Sequence, residues 1–527
     1  MAKVYQANEI KNVAMLGGSG SGKTTLMESM LFESGVIKRR GSIESQSTVC
    51  DYFPVEKEYG YSVFSTVCNI EFEGKKLNVI DCAGSDDFCG GTMAALQMCG
   101  SALIVLSANG GVEVGTQNNF RLVEKVKKPL AFVINKCDHQ DADFDRTFNQ
   151  LKENFGNKCT LIQFPVNAGN GFNAVIDVLK GKMLVWKAEG GAPEFKEIPA
   201  EYADRVEEMR QQLQEQAAEA DETLLDKFLS EGLTDEEIMQ GLKSVYADGS
   251  MYPVICTSGL KDMGVRRLMD FLNGMAPSPA QFSYPTVDGN RVSPDASAPT
   301  SLYVFKTSVE PHIGEVSYFR VMQGTVRNGD DMQNMERGSK ERISQLYMVA
   351  GANRIPVDEV AAGDIAATVK LKDTRTGNTL NAKVFPTKGM YEALVAQFVI
   401  GKEVYQGLTN VYDNRLNQSW LQVSYTRRDH FGINDYFSLG TYLQLFYSTR
   451  RLSKTYQATM MQALQKRATT RKHFLQTKTT ALPSHKLLSP TTTPPTSTRP
   501  LTTLQQSPKT LVVTPWFHKM VAQRLAR

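Results

Sequence analysis

One stretch narrows the choices of this chain more than any other: an apolar run from Val13 to Leu16, then Gly17-Gly18-Ser19-Gly20-Ser21-Gly22-Lys23-Thr24-Thr25. The apolar run reads as a buried strand, and Thr24 to Glu33 alternates at helical spacing, so the order is strand, loop, helix. A flexible Gly/Ser turn explains the glycines but not the Lys-Thr pair or the flanks. The spacing Gly17-x4-Gly22-Lys23-Thr24 fits a phosphate-binding loop, whose backbone N–H groups curl round an anion. In such a loop Lys23 reaches the β and γ phosphates and Thr24 offers its hydroxyl to Mg2+, while the new helix turns its positive end toward the charge.

The stretch from Lys38 to Ser65 is polar and turn-rich and predicts a mobile loop. Strands follow at Val67 to Phe72 and Leu77 to Asp81, joined by Glu73-Gly74-Lys75. The second runs into Asp81-Cys82-Ala83-Gly84, where Asp81 can hold Mg2+ through water and Gly84 can bring its N–H to a γ-phosphate. Alone, Asp-x-x-Gly is an ordinary turn; after a phosphate loop it gains meaning. A strand at Ala102 to Leu106, a helix from Val114 to Lys128 and a strand at Leu130 to Ile134 lead to Asn135-Lys136-Cys137-Asp138.

The Asp138 carboxylate can accept from guanine N1–H and the 2-amino group, a donor pair adenine lacks. Each acceptor left buried and unpaired costs about 1 to 3 kcal/mol, so guanine is the expected base. Asn135 is expected to support the loop and the base edge, with the Lys136 stem along the purine face. Val254 to Cys256 restores the strand pattern and delivers Thr257-Ser258-Gly259-Leu260 as a last base-contacting loop, before a helix from Val265 to Leu272. The alternation predicts an α/β fold, a doubly wound parallel sheet with its motifs at the strand C-termini.

From Gln163 to Asp248 the pattern turns to charged helices, read as an insertion within a first domain spanning residues 1–276. Five prolines between Pro277 and Pro299 mark a linker over 277–299. Short alternating runs at Ser317 to Val321, Ile343 to Val349 and Ile365 to Leu371, separated by turn residues, predict a small β-barrel over 300–385.

A chain of 527 residues exceeds one ordinary core and predicts two to four domains. Its net charge of +3 conceals two unlike parts: residues 386–527 carry 19 Lys+Arg against 5 Asp+Glu, whereas the part before them is net −11. Residues 436–527 hold 14 Lys+Arg and no acidic residue. The eight cysteines, all at or before Cys256, form no CxxC pair and read as small buried hydrophobes in a reduced compartment. Met1 to Lys11 has no signal-peptide core and no run of eighteen apolar residues occurs, which predicts a cytoplasmic protein without a membrane span.

With these motifs the chain resembles the translational GTPases, most closely elongation factor G, over residues 1 to about 385. The resemblance rests on Gly17 to Thr25, Asp51, Glu56-Lys57-Glu58, Asp81 to Phe88, Asn135 to Asp138, and Ala362-Gly363-Asp364-Ile365-Ala366-Ala367 with Leu371-Lys372-Asp373-Thr374. It implies GTP and Mg2+ as ligands, the ribosome as partner in protein biosynthesis, a monomer, and no DNA.

Departures from the family bear on chemistry. Gly18 and Gly20 stand where a His and an Asp are usual, and Tyr59-Gly60-Tyr61-Ser62 replaces the switch motif RGIT, leaving Ser62 to take the switch threonine's place on Mg2+. In the DTPGH motif the final His, which positions the attacking water, is Ser85; the first histidine of the chain is His139. A serine lacks the reach and donor character of imidazole. No catalytic residue is therefore assigned, and GTP hydrolysis is expected to be weak. A GTP-sensing, non-hydrolysing binding protein and a ribosomal protection factor of the same superfamily are the alternatives.

Residues 386–527 match none of the family's further domains. A basic arm binding ribosomal RNA through phosphate contacts is one reading. A shifted reading frame is the other, favoured by aromatics, Thr and Pro scattered without amphipathic order, as in the Thr/Pro-rich Ser489 to Thr503.

Overall fold

The computed structural model of the protein describes residues 3–187, 191–286, 291–310 and 313–382; the basic tail expected over 386–527 lies outside the described residues. The first domain contributes β1 (Ile10–Leu16), α1 (Lys23–Glu33), α2 (Pro54–Tyr59), β2 (Thr66–Phe72), β3 (Lys75–Asp81), α3 (Cys89–Met98), β4 (Ser101–Ser107), α4 (Val114–Val126), β5 (Leu130–Asn135), α5 (Phe144–Phe155) and β6 (Cys159–Leu161). An excursion follows, with β7 (Gln163–Pro165), β8 (Ala174–Asp177), β9 (Lys182–Val185), β10 (Glu194–Lys196), α6 (Ala203–Ala218), α7 (Glu222–Ser230) and α8 (Asp235–Asp248). The chain then re-enters the sheet through β11 (Tyr252–Cys256) and closes the domain with α9 (Val265–Met275).

Every residue of β1, β4 and β5 is buried, as strands covered on both faces require. The order across the sheet is β2-β3-β1-β4-β5-β11-β6, parallel except for β2, which is hairpinned antiparallel to β3. Chain order reverses at β1, which has β3 on one side and β4 on the other. That reversal opens a crevice beyond the strand C-termini, where the motif loops emerge.

Two sequence expectations need correction here. The insertion over 163–248 is not wholly helical: it opens with an antiparallel sheet in the order β10-β9-β8-β7, and only then come α6 to α8. Strands of three or four residues are too short to display a period of two, and the charged helices after them dominate the pattern. The loop over 38–65 also contains a helix, α2. Pro54 starts it, the Glu56 carboxylate accepts from Phe53 N at 3.2 Å, and Gly60 ends it in a left-handed conformation.

Within the proline-rich stretch, Pro277, Ser278, Pro279 and Tyr284 are buried. The stretch forms a hairpin of β12 (Tyr284–Pro285) and β13 (Arg291–Val292), and the buried Tyr284 ring lies 4.7 Å from the Arg320 guanidinium. The β-barrel domain then runs through β14 (Ser301–Glu310), β15 (Gly314–Gln323), β16 (Thr325–Arg327), β17 (Asp331–Asn334), β18 (Lys340–Arg342), β19 (Leu346–Ala350), β20 (Asn353–Val357), β21 (Glu359–Ala361), β22 (Ile365–Val369) and β23 (Thr379–Ala382). All its pairings are antiparallel, and Leu302, Val304, Phe319, Val321, Ile343 and Leu346 form its core.

The two domains meet along a buried polar seam. Asn12 Nδ2 donates to Gly363 O at 2.8 Å, Asn69 Nδ2 to Ile365 O at 3.2 Å, and Arg320 to Met98 O at 2.6 Å. Cys68 of β2 bridges to Ala350 of β19, joining the sheets edge to edge. These buried donors find their acceptors across the seam, which fixes the register of one domain on the other.

Candidate functional site

At the C-terminus of β1 the chain turns through its glycines and enters α1 with Gly22 at φ 89° and no side-chain cap on the helix start. Glycine is required at this position. Its φ is left-handed, and a Cβ would stand 2.6 Å from Asn135 Nδ2. Asn135, at the end of β5, braces two loops: its Nδ2 donates to Ser21 O and Gly22 O, each at 3.3 Å, and its Oδ1 accepts from Gly259 N at 2.9 Å and Thr257 Oγ1 at 3.2 Å. Lys136 reaches across to Gly20 O at 2.7 Å. Ser258 donates to Asp138 Oδ1 at 2.7 Å, fixing one carboxylate oxygen and the plane of the group.

These loops enclose a cavity of about 540 Å3, within the range of small-molecule sites. Ser19, Gly20, Gly22, Lys23, Thr24 and Thr25 line one end, with Ser62, Gly84 and Ser85 beside them. Asn135, Lys136, Asp138 and Leu260 line the other. Gly17, Gly18, Ser21, Asp81, Ser258 and Gly259 stand one layer behind, each bonded to a residue of the wall. The residues expected to bind nucleotide and metal are thus brought together.

The phosphate end is electrostatically demanding. Lys23 is 5% exposed and its ammonium donates to Gly17 O at 2.9 Å and Gly18 O at 3.0 Å. Burial pulls its pKa down, with the nearby Asp81 opposing. Thr24 Oγ1 lies 3.3 Å from Asp81 Oδ2 and 3.2 Å from Ser62 Oγ. Burial pushes Asp81 up to about 7 and raises Asp51, which the Ser62 and Thr24 hydroxyls partly counter. Asp81 Oδ1, Asp51 Oδ2 and Ser21 Oγ are buried without a hydrogen-bond partner. Two carboxylates with orphaned oxygens around two hydroxyls are a hard, oxygen-rich donor set, which fits a divalent cation such as Mg2+.

Ser85 lines the cavity, and its Oγ accepts from Asp87 N at 3.4 Å, capping the single turn Asp86–Phe88. Asp51 was not among the candidate site residues, although it carried the resemblance; it sits in an irregular stretch where no local pattern assigns a side chain a direction. Tyr61 and His139 also line the cavity and were likewise missed.

A doubly wound sheet with a Gly-x4-Gly-Lys-Thr loop at its crevice defines a P-loop nucleotide-binding protein. Residues 8–278 match the family described as the elongation factor Tu GTP binding domain, and residues 299–383 match elongation factor G domain 2. The chain belongs to the translational GTPases of the elongation factor Tu and elongation factor G type, a membership that implies GTP binding. A solved structure from Thermus thermophilus is similar to it at 30% identity and a TM-score of 0.65, over 73% of this chain and 56% of that one. The chain thus spans little more than half the length of that protein. No helix among the described residues is long and apolar enough to cross a membrane.

Proposed function

We propose that this is an elongation factor G-like GTPase that binds GTP with Mg2+ in the cavity, engages the ribosome during elongation, and hydrolyses GTP weakly. The domain division at 277–299 belongs to this reading. The observation that carries it is the pair of orphaned carboxylate oxygens, on Asp51 and Asp81, beside the buried Lys23 ammonium. Opposite charges are assembled here at a desolvation cost that a bound metal and phosphates offset.

In this reading Lys23 and the loop N–H groups hold the β and γ phosphates, and Thr24, Ser62 and Asp81 face the cation. The cation, when bound, supplies charge neutralisation on the phosphate oxygens. Asp138 accepts from the guanine edge while Ser258 holds its carboxylate in plane. Lys136 covers the purine and Leu260 borders the base end of the cavity.

The water-positioning step has no imidazole. The Ser85 hydroxyl is shorter and is engaged as a cap, which favours slow hydrolysis and also supports a second reading, a GTP-sensing binding protein. Calorimetric titration of the full chain with GTP and ATP, with and without Mg2+, tests the binding. GTP is expected to bind about a hundredfold or more tighter than ATP, following from two buried hydrogen bonds, and removal of Mg2+ is expected to weaken it. Equal affinity for both nucleotides, or indifference to the metal, overturns the assignment.

A further inference from the structure

Two cysteines meet where the loop after α1 crosses the sheet edge. Cys50 Sγ lies 3.6 Å from Cys68 Sγ, and the side chains are 1% and 0% exposed. Cys68 is fixed in β2, registered against Val79 of β3 on one side and Ala350 of β19 on the other. Cys50 belongs to an irregular stretch and precedes Asp51, whose orphaned oxygen faces the cation corner. The stretch is held at several points: Glu28 accepts from Val49 N and from Gly41 N, Thr66 Oγ1 donates to Cys50 O at 3.1 Å, and Ala352 N donates to Val49 O at 3.1 Å. The two sulfurs are therefore in van der Waals contact, one on a strand of the sheet and one on irregular backbone.

We propose that Cys50 and Cys68 form a reversible disulfide when the protein meets a peroxide, and that the bond tethers the Asp51 loop to the central sheet. Cys50 is the first to react, because lifting the loop exposes it while Cys68 stays in β2. Its sulfur attacks one oxygen of hydrogen peroxide, the O–O bond breaks, and a sulfenic acid and one water result. When the loop closes, the Cys68 sulfur displaces the hydroxyl from the sulfenic sulfur; the S–S bond forms, and that hydroxyl leaves as water with the Cys68 proton. Two thiols and one peroxide give one disulfide and two waters. A dithiol reverses the step by exchange.

The tether has a consequence away from the sulfurs. The loop carries Lys57, half-buried on α2, and Arg40, joined to Asp262 at 2.9 Å. Trypsin reaches such sites when the loop lifts, so a covalent bond at Cys50 slows cleavage there.

The full chain, reduced and then treated with hydrogen peroxide, is alkylated, digested without reductant and mapped by mass spectrometry, with tryptic cleavage at Lys57 followed in parallel. The expected result is a Cys50–Cys68 linked peptide that dithiothreitol removes, with cleavage slowed several-fold in oxidised protein. Cys68→Ala and, independently, Cys50→Ser are expected to lose both effects while being cleaved in the reduced state as fast as the parent. Oxidation of the other cysteines with Cys50 and Cys68 remaining thiols, or linked elsewhere, overturns the proposal. A Cys50–Cys68 link that leaves cleavage unchanged overturns the tether. Neither readout uses a nucleotide, so the result stands apart from the GTP-binding assignment.

Discussion

Lys76 Nζ and Asp364 Oδ2 lie 2.6 Å apart across the boundary between the two domains, with side chains 1% and 3% exposed. Lys76 belongs to β3, and Asp364 directly precedes β22. Burial pulls the Lys76 pKa down while Asp364 opposes the shift. The other carboxylate oxygen accepts from Asn78 Nδ2 at 2.9 Å and from Ile365 N at 2.8 Å. The pair and its amide partners therefore orient the barrel against the sheet that carries the nucleotide loops.

Removing one member leaves the other buried and unpaired. Asp364→Ala is expected to destabilise the protein by about 3 to 5 kcal/mol, whereas a double change to apolar residues of similar volume, Lys76→Met with Asp364→Leu, is expected to lose much less. Urea denaturation of the parent and the variants measures both.

Gly84 admits no side chain. A Cβ there would stand 2.6 Å from Lys23 Nζ and 2.8 Å from Ser19 N, the groups expected around the terminal phosphate. Gly84→Ala is expected to lower the affinity for GTP more than that for GDP, by about tenfold or 1.4 kcal/mol in the ratio. Parallel titrations with both nucleotides read the effect.

Asp138 is held by Ser258 with its carboxylate toward the cavity. Asp138→Asn replaces one acceptor by a donor, which opposes the guanine 2-amino group and complements the 2-oxo group of xanthine. The variant is expected to lose about tenfold to a hundredfold in GTP affinity, from a change of about 1 to 3 kcal/mol, and to gain affinity for xanthosine triphosphate. Competition between the two nucleotides checks it.

Lys11, 7% exposed in β1, donates to Ala276 O, and burial brings its pKa down to about 8. Between pH 8 and 10.5 the unfolded chain then holds more of this proton than the folded one, so this group's contribution to stability rises with pH across that window. Lys11→Met is expected to be more stable than the parent at pH 7. Its advantage is expected to shrink on the order of 1 kcal/mol per pH unit above pH 8. Denaturation midpoints at pH 7, 8.5 and 9.5 show the sign.

The site was more legible than the framework that holds it. Gly17 to Thr25, Asp81 with Gly84, and Asn135 to Asp138 each combine side-chain chemistry with a strand end, so spacing alone places them on one crevice. Asp51 carries no such local signal: its approach to Thr24 depends on how the loop is held by Glu28, Thr66 and the barrel. Pro54 and Gly60 did mark the ends of α2, but a six-residue helix shows too little periodicity to be read. Lys76 lies beyond what a local pattern can show, since nothing adjacent to it marks a buried lysine and its burial goes with the docking of Asp364.

Single-turnover GTP hydrolysis on purified ribosomes, by the parent and by Ser85→His, bears hardest on the assigned function. The structure-based expectation is that the parent binds GTP and hydrolyses it with little ribosomal acceleration, and that the histidine variant is accelerated by about tenfold or more. Strong acceleration of the parent that Ser85→Ala abolishes would contradict it, since the serine would then be positioning the water itself.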